Sequence, residues 1–186
     1  MGYAIAEEAW RRGAGSYSDN GADGPSPSSR DKIVEVTSAD EMFDACMEAS
    51  ESADVIVKAA AVGDYRAAER ADQKIKRGGR ETLTLELVQN RDIAAELGRR
   101  KRGGQLLVGF AAETQNVLEN AQKKMAEKNL DMIVSNDVLA PGAGFAVDTN
   151  SVTIMARGAE PVRFSGTKDE TASRILDSVS ALAAGK

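Results

Sequence analysis

The segment Asp54-Val-Ile-Val-Lys-Ala-Ala-Ala61 decides the fold class, because it is a short and nearly continuous apolar run. Strands of this composition are typical of a parallel sheet that is covered on both faces. The segments Leu106-Leu-Val-Gly-Phe110 and Asp131-Met-Ile-Val-Ser135 repeat the pattern further along the chain. We therefore predict that strands at these three positions form the buried centre of a parallel sheet.

Helical patterns lie between the strands. Ser38-Ala-Asp-Glu41 is a capping box that predicts a helix to about residue 50, and Gly13 is suited to end a helix over residues 1–13. The other predicted elements are helices at 92–98, 115–129 and 168–183, a half-exposed strand at 82–88, and a C-terminal hairpin of 152–155 and 161–164. This alternation predicts a doubly wound, Rossmann-like α/β fold with a mostly parallel sheet in a three-layer α/β/α arrangement.

Composition restricts the possible functions. The 186 residues fit one domain over 1–186, and a net charge of −5 argues against nonspecific nucleic-acid binding. No apolar run approaches the ~20 residues of a membrane span, and one cysteine, Cys46, is typical of a cytoplasmic protein. The lack of histidine excludes Ser-His-Asp and Cys-His mechanisms and His-ligated zinc. Any metal should be a hard cation such as Mg²⁺, held by oxygen atoms.

Ligands of such folds bind beyond the carboxyl ends of the strands. There, Ala59-Ala-Ala-Val-Gly-Asp-Tyr-Arg66 offers small residues that let a flat ligand approach the backbone. Its Asp64 suits a base, a ribose or a metal, although a solvated aspartate in an ordinary strand-to-loop turn is the more common explanation of such a motif on its own. Lys74-Ile-Lys-Arg77 beside Gly78-Gly79 suits a polyphosphate, and the alternative is a solvated basic loop.

Two later segments could complete such a site. In Val108-Gly-Phe-Ala-Ala-Glu-Thr114, Phe110 could stack on a base or simply belong to the core. Lys124 and Lys128 share a helix face, where an anion between them would offset their mutual repulsion, or they form ordinary helix surface.

The order and spacing of these motifs, with Asn129-Leu-Asp-Met-Ile-Val-Ser-Asn-Asp137, resemble phosphopantothenate–cysteine ligase over most of the chain. The resemblance implies that the carboxylate of 4′-phosphopantothenate attacks the α-phosphate of CTP, and that L-cysteine then displaces CMP from the acyl-cytidylate. It also implies Mg²⁺, a homodimer, and in many bacteria a flavin-dependent decarboxylase domain upstream. The implied catalytic residue is Lys74, and Asp64 is the implied metal ligand. The implied nucleotide-binding residues are Ala59, Ala60, Asp64, Lys74, Arg91, Asp92, Ile93, Ala94, Phe110, Lys124 and Lys128.

The chain departs from the family pattern in two places. The family normally begins with a strand and phosphate-binding loops, one with a catalytic Asn, before the segment that corresponds to Met1. Residues 15–31 read as a polar loop, and the family has a strand where this chain has residues 15–28. A local frameshift is our hypothesis for residues 15–28, and sequencing the gene tests it. The family also often has Pro at the position of Arg91 and Ala at that of Gly63. These departures predict an exposed sheet edge and weak or absent ligase turnover.

Two other functions remain open at this point. An NAD(P)-dependent oxidoreductase would share the fold class, but the sequence lacks the Gly-x-Gly-x-x-Gly fingerprint that such an enzyme needs. A nucleotide-binding fragment without turnover would bind CTP and form no product.

Overall fold

The computed structural model describes residues 1–15, 17–20, 32–76, 81–113, 116–137 and 149–185. The helices are α1 (Gly2–Arg11), α2 (Ala39–Ser50), α3 (Ile93–Arg100), α4 (Val117–Glu127) and α5 (Lys168–Ala184). The strands are β1 (Tyr17–Asn20), β2 (Lys32–Glu35), β3 (Val55–Lys58), β4 (Tyr65–Ala67), β5 (Leu87–Gln89), β6 (Leu106–Glu113), β7 (Met132–Asp137), β8 (Thr149–Ala156) and β9 (Val162–Thr167). Among these residues, no helix combines the length and apolar character that crossing a membrane requires.

A five-stranded mixed sheet organises the molecule, with the strand order β3-β6-β7-β8-β9. Strands β3, β6 and β7 are parallel, whereas β8 and β9 form an antiparallel hairpin that continues the sheet from β7. The predicted C-terminal hairpin is therefore confirmed. The carboxyl ends of the three parallel strands meet at one edge of the sheet, where one sequence motif for ligand binding follows β3 and another forms the end of β6.

Helices cover both faces of this sheet, which confirms the predicted three-layer α/β/α arrangement. On one face, α1 and α5 pack against alternate residues of β6 and β7, including Val108 and Val134, both 0% exposed. On the other face, α2, α3 and α4 pack against the intervening residues, such as Leu107 and Ile133. The alternation of side chains along each strand thus divides the core into two apolar clusters.

The helix ends follow the capping signals in the sequence. Ser38 and Glu41 form the predicted capping box of α2, and Thr167 and Glu170 form a second one at the start of α5. Gly13 has a φ of 86°, and its N–H donates to the carbonyl of Trp10 just after α1. Because glycine adopts this left-handed conformation without a steric cost, it ends the helix where predicted.

The prediction that β3 is buried on both faces is wrong. Val55 is 38% exposed and the remaining residues of β3 are half-buried, whereas Leu106, Leu107 and Val108 of β6 are no more than 1% exposed. The reason is that β3 lies at the end of the strand order, so within the described part of the chain it pairs with β6 alone.

Two predictions about local structure need correction. Residues 17–20, which lie within the predicted loop at 15–31, form strand β1 and pair in parallel with β2. Extended backbone here gains hydrogen bonds from β2 that an isolated loop would lack. The rest of the predicted loop, Ser16 and 21–31, lies outside the described residues. The strand predicted at 82–88 is reduced to β5, because its partner β4 offers only three residues for pairing.

A buried carboxylate joins the elements around the parallel strands. Asp131, only 6% exposed, precedes β7 and accepts the backbone N–H of Leu107 at 2.8 Å through Oδ2. The same oxygen lies 2.8 Å from the ammonium of Lys101, which follows α3. The backbone of Asp131 donates to Leu107 O and accepts from Arg157 N, both at 2.9 Å. One residue therefore fixes β6, β7, the end of α3 and the end of β8 together.

We predict that Asp131→Ala lowers the free energy of unfolding by about 3 kcal/mol, because it takes the ion pair from the ammonium of Lys101 and the acceptor from the buried N–H of Leu107. The ammonium would keep only its hydrogen bond to Asn129 O. Urea unfolding at neutral pH measures the change. Asp72→Ala, at an exposed loop position, is the matched control and should change stability little. Equal stability of the two variants would contradict the structural role of Asp131.

Candidate active site

Two loops at the carboxyl edge of the sheet are joined by Asn90. Its side-chain amide donates to Gly63 O at 2.8 Å, and its backbone N–H donates to Asp64 O at 2.8 Å. Arg66 adds hydrogen bonds to Gln89 O at 3.2 Å and to Asn90 Oδ1 at 2.9 Å. The loop after β3 and the segment before α3 therefore form one surface, as the resemblance requires of two nucleotide-binding segments.

Asp92 begins α3 and connects it to α4. As the N-cap, it accepts the N–H of Ala95 at 3.0 Å through Oδ1, and its Oδ2 lies 2.9 Å from the ammonium of Lys128. Although burial raises the pKa of Asp92, the hydrogen bonds from Ala95 and Lys128 and the charges of Lys128 and Lys58 lower it below its usual range overall. The carboxylate therefore stays ionised at neutral pH, beside two lysines.

Gly98 explains why Lys128 can reach Asp92. A Cβ at Gly98 would lie 2.0 Å from the carbonyl oxygen of Lys128, so only glycine allows α3 to approach the turn after α4 this closely. The amide of Asn129 donates to Gly98 O at 2.9 Å and holds the same contact. The close approach aligns the side chain of Lys128 along α3 towards its N-terminus.

Ile93 and Ala94 can contribute to a ligand site only through their backbone. Their side chains are 3% and 7% exposed, and Ile93 belongs to the apolar cluster under α3. The first backbone N–H groups of a helix lack partners within the helix, and its N-terminus attracts anions. The two residues thus suit contacts from backbone amides to a phosphate.

The side chain of Arg91 points towards α2 rather than along the carboxyl edge. Its guanidinium lies 3.8 Å from the ring centroid of Phe43 and 2.9 Å from Asp44. It also lies 3.2 Å from a carboxylate oxygen of Asp40, whose other oxygen lies 3.2 Å from Arg66. Arg91 therefore anchors the segment before α3 onto α2, and any ligand contact would come from its backbone.

The remaining predicted residues are more dispersed. Phe110 is half-buried and packs with the α1 and α5 cluster, on the face of the sheet opposite α3. Ala59 is half-buried, and its Cβ lies 3.6 Å from the position that a Cβ on Gly2 would occupy. Lys124 lines a shallow depression on α4 with Asn120, Lys123 and Glu127. The exposed residues Ala60 and Lys74 complete the set, with Lys74 on the loop after β4. The structure thus brings together the segments that contain Asp64, Asp92 and Lys128, and it does not bring Phe110 to that face.

Three residues near this edge were not among the predicted site residues. Ser135 Oγ and Asn136 Oδ1 in β7 are buried and lack hydrogen-bond partners among the described residues. The sequence pattern included them only as part of the family resemblance. Lys58, the last residue of β3, was read as part of an apolar strand, and its half-buried ammonium belongs to the same region as Asp92.

The acidic residues fit Mg²⁺ only as a partner of a bound nucleotide. Within the described ranges, no three Asp, Glu or Cys residues cluster as a metal site. Asp64 is exposed and offers a single carboxylate at the carboxyl edge. Mg²⁺ often uses one or two carboxylates together with substrate phosphates and water. Asp64 therefore fits a magnesium ion that a polyphosphate ligand brings with it.

Comparison with known proteins identifies the family. The family model of the DNA/pantothenate metabolism flavoprotein C-terminal domain matches residues 1–182. The chain belongs to this family. A crystal structure of the C-terminal domain of the Coenzyme A biosynthesis bifunctional protein CoaBC superposes with a TM-score of 0.83 at 36% identity, and the match covers 100% of this chain and 83% of that one. The flavoprotein C-terminal domain family therefore accounts for the fold, and the resemblance to its ligase members is confirmed.

Curated relatives of this family are longer. The CoaBC of Bacillus subtilis (strain 168) is 45% identical over 157 residues, which are 83% of this chain and 38% of that protein. A cysteine/cysteine sulfinic acid decarboxylase of an unknown prokaryotic organism is 43% identical over 178 residues, which are 95% of this chain and 49% of that protein. The chain thus spans less than half the length of these family members.

We predict that Arg91→Ala lowers the free energy of unfolding modestly, because it removes the stacking on Phe43 and exposed ion pairs of modest strength. Part of the loss should disappear at high salt, which screens the ion pairs but not the stacking. Urea unfolding at low and high ionic strength measures both parts, with Arg70→Ala at an exposed loop position as control. A loss that vanishes completely in salt would contradict the contribution of Phe43.

Proposed function

We propose that this chain is the ligase part of a coenzyme A biosynthesis protein, and that it joins L-cysteine to 4′-phosphopantothenate at the expense of CTP. Membership of the flavoprotein C-terminal domain family supports the reaction class. The observation that carries the proposal is the cross-link of the loop after β3 to the start of α3, with Lys128 paired to Asp92 beside it. This arrangement offers backbone amides and ammonium groups on one side of the sheet, as a nucleoside triphosphate requires.

Binding and charge neutralisation would perform the chemistry, because the chain has no histidine to act as a base or nucleophile. The amides of Ile93 and Ala94 and the ammonium of Lys128 would hold phosphate oxygens of CTP. The substrate carboxylate would then attack the α-phosphate, so that an acyl-phosphate bond forms as the bond to pyrophosphate breaks. The amine of cysteine would attack the acyl carbon, lose a proton and release CMP. Stabilising the charge that develops on phosphate oxygens is the main task of the protein in such reactions.

Asp64 and Lys74 complete the proposed site. When Mg²⁺ accompanies the nucleotide, it neutralises phosphate charge, and Asp64 is the carboxylate that would hold it. Lys74 lies on an exposed loop, where its ammonium can follow the charge that develops on the anhydride. The decarboxylase domain that the ligase resemblance implies upstream stays a prediction.

Ligand-dependent thermal unfolding tests the nucleotide preference. We predict that CTP with Mg²⁺ raises the melting temperature more than ATP or NAD at equal concentration, since saturation to about 100 times Kd adds roughly 2.7 kcal/mol to the stability of the native state. A larger shift with NAD would contradict the ligase proposal and favour an oxidoreductase.

In the same chain, Lys74→Met should lower the single-turnover rate of amide formation by roughly a hundredfold.

The single-turnover format, with protein in excess, measures the chemical step separately from product release. Lys76→Met removes a like charge two residues away and is the matched control. Equal losses in both variants would show that the total charge of the loop matters rather than the position of Lys74. CTP binding without amide formation by the parent chain would support the nucleotide-binding fragment instead.

We also propose that the chain forms the homodimer that the ligase resemblance implies. Leu83, Leu85 and Leu87 are 57%, 62% and 56% exposed at alternate positions leading into β5, and we call them the leucine surface. The ribbon of β4 and β5 has only three residues in each strand, and two-stranded ribbons are marginally stable alone. Burial of the leucine surface against a second copy would both cover apolar area and stabilise the ribbon.

Leu85→Glu is predicted to raise the dimer dissociation constant at least tenfold, because it places a charge in the apolar contact. Sedimentation equilibrium over a range of concentrations measures this constant. Leu118→Glu, which changes an exposed leucine on α4, is the control and should leave the dimer intact. A parent chain that is monomeric at all concentrations would refute the dimer.

A further inference from the structure

Lys58 occupies an unusual position for a lysine. It is the last residue of β3, and its neighbour in the parallel pairing is Gly109 of β6. Paired residues of adjacent strands direct their side chains to the same face. A Cβ at Gly109 would lie 2.7 Å from Leu130, which belongs to the cluster under α3 and α4. The side chain of Lys58 therefore lies on the face of α3 and α4, the face that holds Asp92 and Lys128.

The ammonium of Lys58 is half-buried, and it makes no hydrogen bond or ion pair with any residue that the structure describes. Burial and the neighbouring charge of Lys128 lower the pKa of Lys58, and attraction by Asp92, Cys46 and Asp64 offsets only part of this effect. Asp92 is already bound to Lys128 at 2.9 Å. A partly desolvated cation with no partner among the described residues costs stability, so this position needs an explanation outside the apolar core.

An anionic ligand at the carboxyl edge supplies that explanation. Two ammonium groups, those of Lys58 and Lys128, share the single carboxylate of Asp92, and the exposed Asp64 attracts Lys58 more weakly than Asp92 does. This group of charges lies where the loop containing Asp64 meets the start of α3, which is also where strand ends of this fold class bind ligands. A phosphate oxygen here would restore a partner to Lys58 and would compensate the repulsion between the two ammonium groups.

We propose that Lys58 is a further lysine of the nucleotide site, whose ammonium donates a hydrogen bond to a phosphate oxygen of bound CTP beside Lys128. This inference rests on the proposed function, since it names a further residue for the same ligand. Lys58 is assigned to the triphosphate rather than to the base, because its ammonium is a positively charged donor and the triphosphate is the anionic part of CTP.

The test compares ligand affinity with stability. Lys58→Met keeps the length of the side chain but removes the charge, and Lys58→Arg keeps the charge. By calorimetric titration of the full 186-residue chain, we expect Lys58→Met to lose about tenfold or more in affinity for CTP and for inorganic pyrophosphate. Affinity for cytidine should stay unchanged, and Lys58→Arg should retain most of the CTP affinity. Without ligand, Lys58→Met should be at least as stable as the parent, because it removes a half-buried charge.

Lys123→Met is the matched control. The side chain of Lys123 is 72% exposed on α4, and its ammonium lies 3.9 Å from the carboxylate of Glu127. The substitution removes one positive charge from the same region and should change CTP affinity less than twofold. An equal loss in the two methionine variants would reduce the effect to overall charge and would overturn the proposal.

The pH dependence of the parent chain gives an independent measurement. Because the lowered pKa of Lys58 would return towards its ordinary value when an anion binds, CTP affinity should fall as pH rises above the lowered pKa. Lys58→Met should lack this part of the pH dependence. This profile keeps the proposal testable even if the methionine variant fails to fold, because a parent profile that is flat up to the ordinary lysine pKa contradicts the proposal.

The outcomes separate this inference from the proposed function. A parent chain that binds CTP, together with a Lys58→Met variant that binds it equally well, overturns the role of Lys58 alone. A parent chain that binds neither CTP nor pyrophosphate overturns both. A lower melting temperature of Lys58→Met with unchanged CTP affinity would assign Lys58 to the packing of β3 instead.

Discussion

The buried carboxylate of Asp131 is the constraint on which the rest of the structure depends. Through one oxygen it binds the N–H of Leu107 and the ammonium of Lys101, and through its backbone it joins β6 to the end of β8. The position of α3 follows from the pair with Lys101, since this lysine ends the helix. The start of α3 then defines where Asp92 meets Lys128. A single interaction in the interior thus sets the geometry of the candidate site at the opposite end of α3.

The site is formed mainly by backbone groups and by side chains that hold loops in place. Asn90 and Arg66 use their polar groups to join two loops, and Arg91 uses its guanidinium to fasten one of them to α2. These side chains are therefore occupied with protein contacts. The groups left for a ligand are amides at the start of α3 and the ammonium groups near Asp92. This division explains how the position of Arg91 can differ from the proline that is frequent in the ligase family without loss of the loop.

Local signals in the sequence were sufficient for the elements whose ends are determined by their own residues. The capping box at Ser38 and the glycine after α1 predicted helix ends that the structure confirms, because capping depends on residues three or four positions apart. The box that Thr167 and Glu170 form at the start of α5 obeys the same rule. The three-layer arrangement and the hairpin also followed from periodicity. Which strand lies at the edge depends on pairing between distant segments, so the composition of β3 predicted burial that the sheet order does not provide.

The candidate site divides in the same way. Motif order identified the segments around Asp64, Asp92 and Lys128, and the structure brings these together. The role of Lys58 was missed because a lysine within an apolar run gives no sign of which face it occupies. Its environment depends on Gly109 in the adjacent strand and on Leu130, which are more than 50 positions away in the sequence. The side-chain orientation of Phe110 likewise depends on strand pairing, which motif spacing does not contain.

The strand order has a consequence for how the chain folds. Strands β6 to β9 and α5 are consecutive in the sequence and neighbours in space, whereas β3 pairs with β6 across about fifty residues. Contacts between residues that are close in sequence form faster, because they close shorter loops. We therefore expect the C-terminal half to form a folding nucleus on which β3 docks later. The ligand-binding edge would then be completed in the last step of folding, and a bound nucleotide would slow unfolding of the chain from that side.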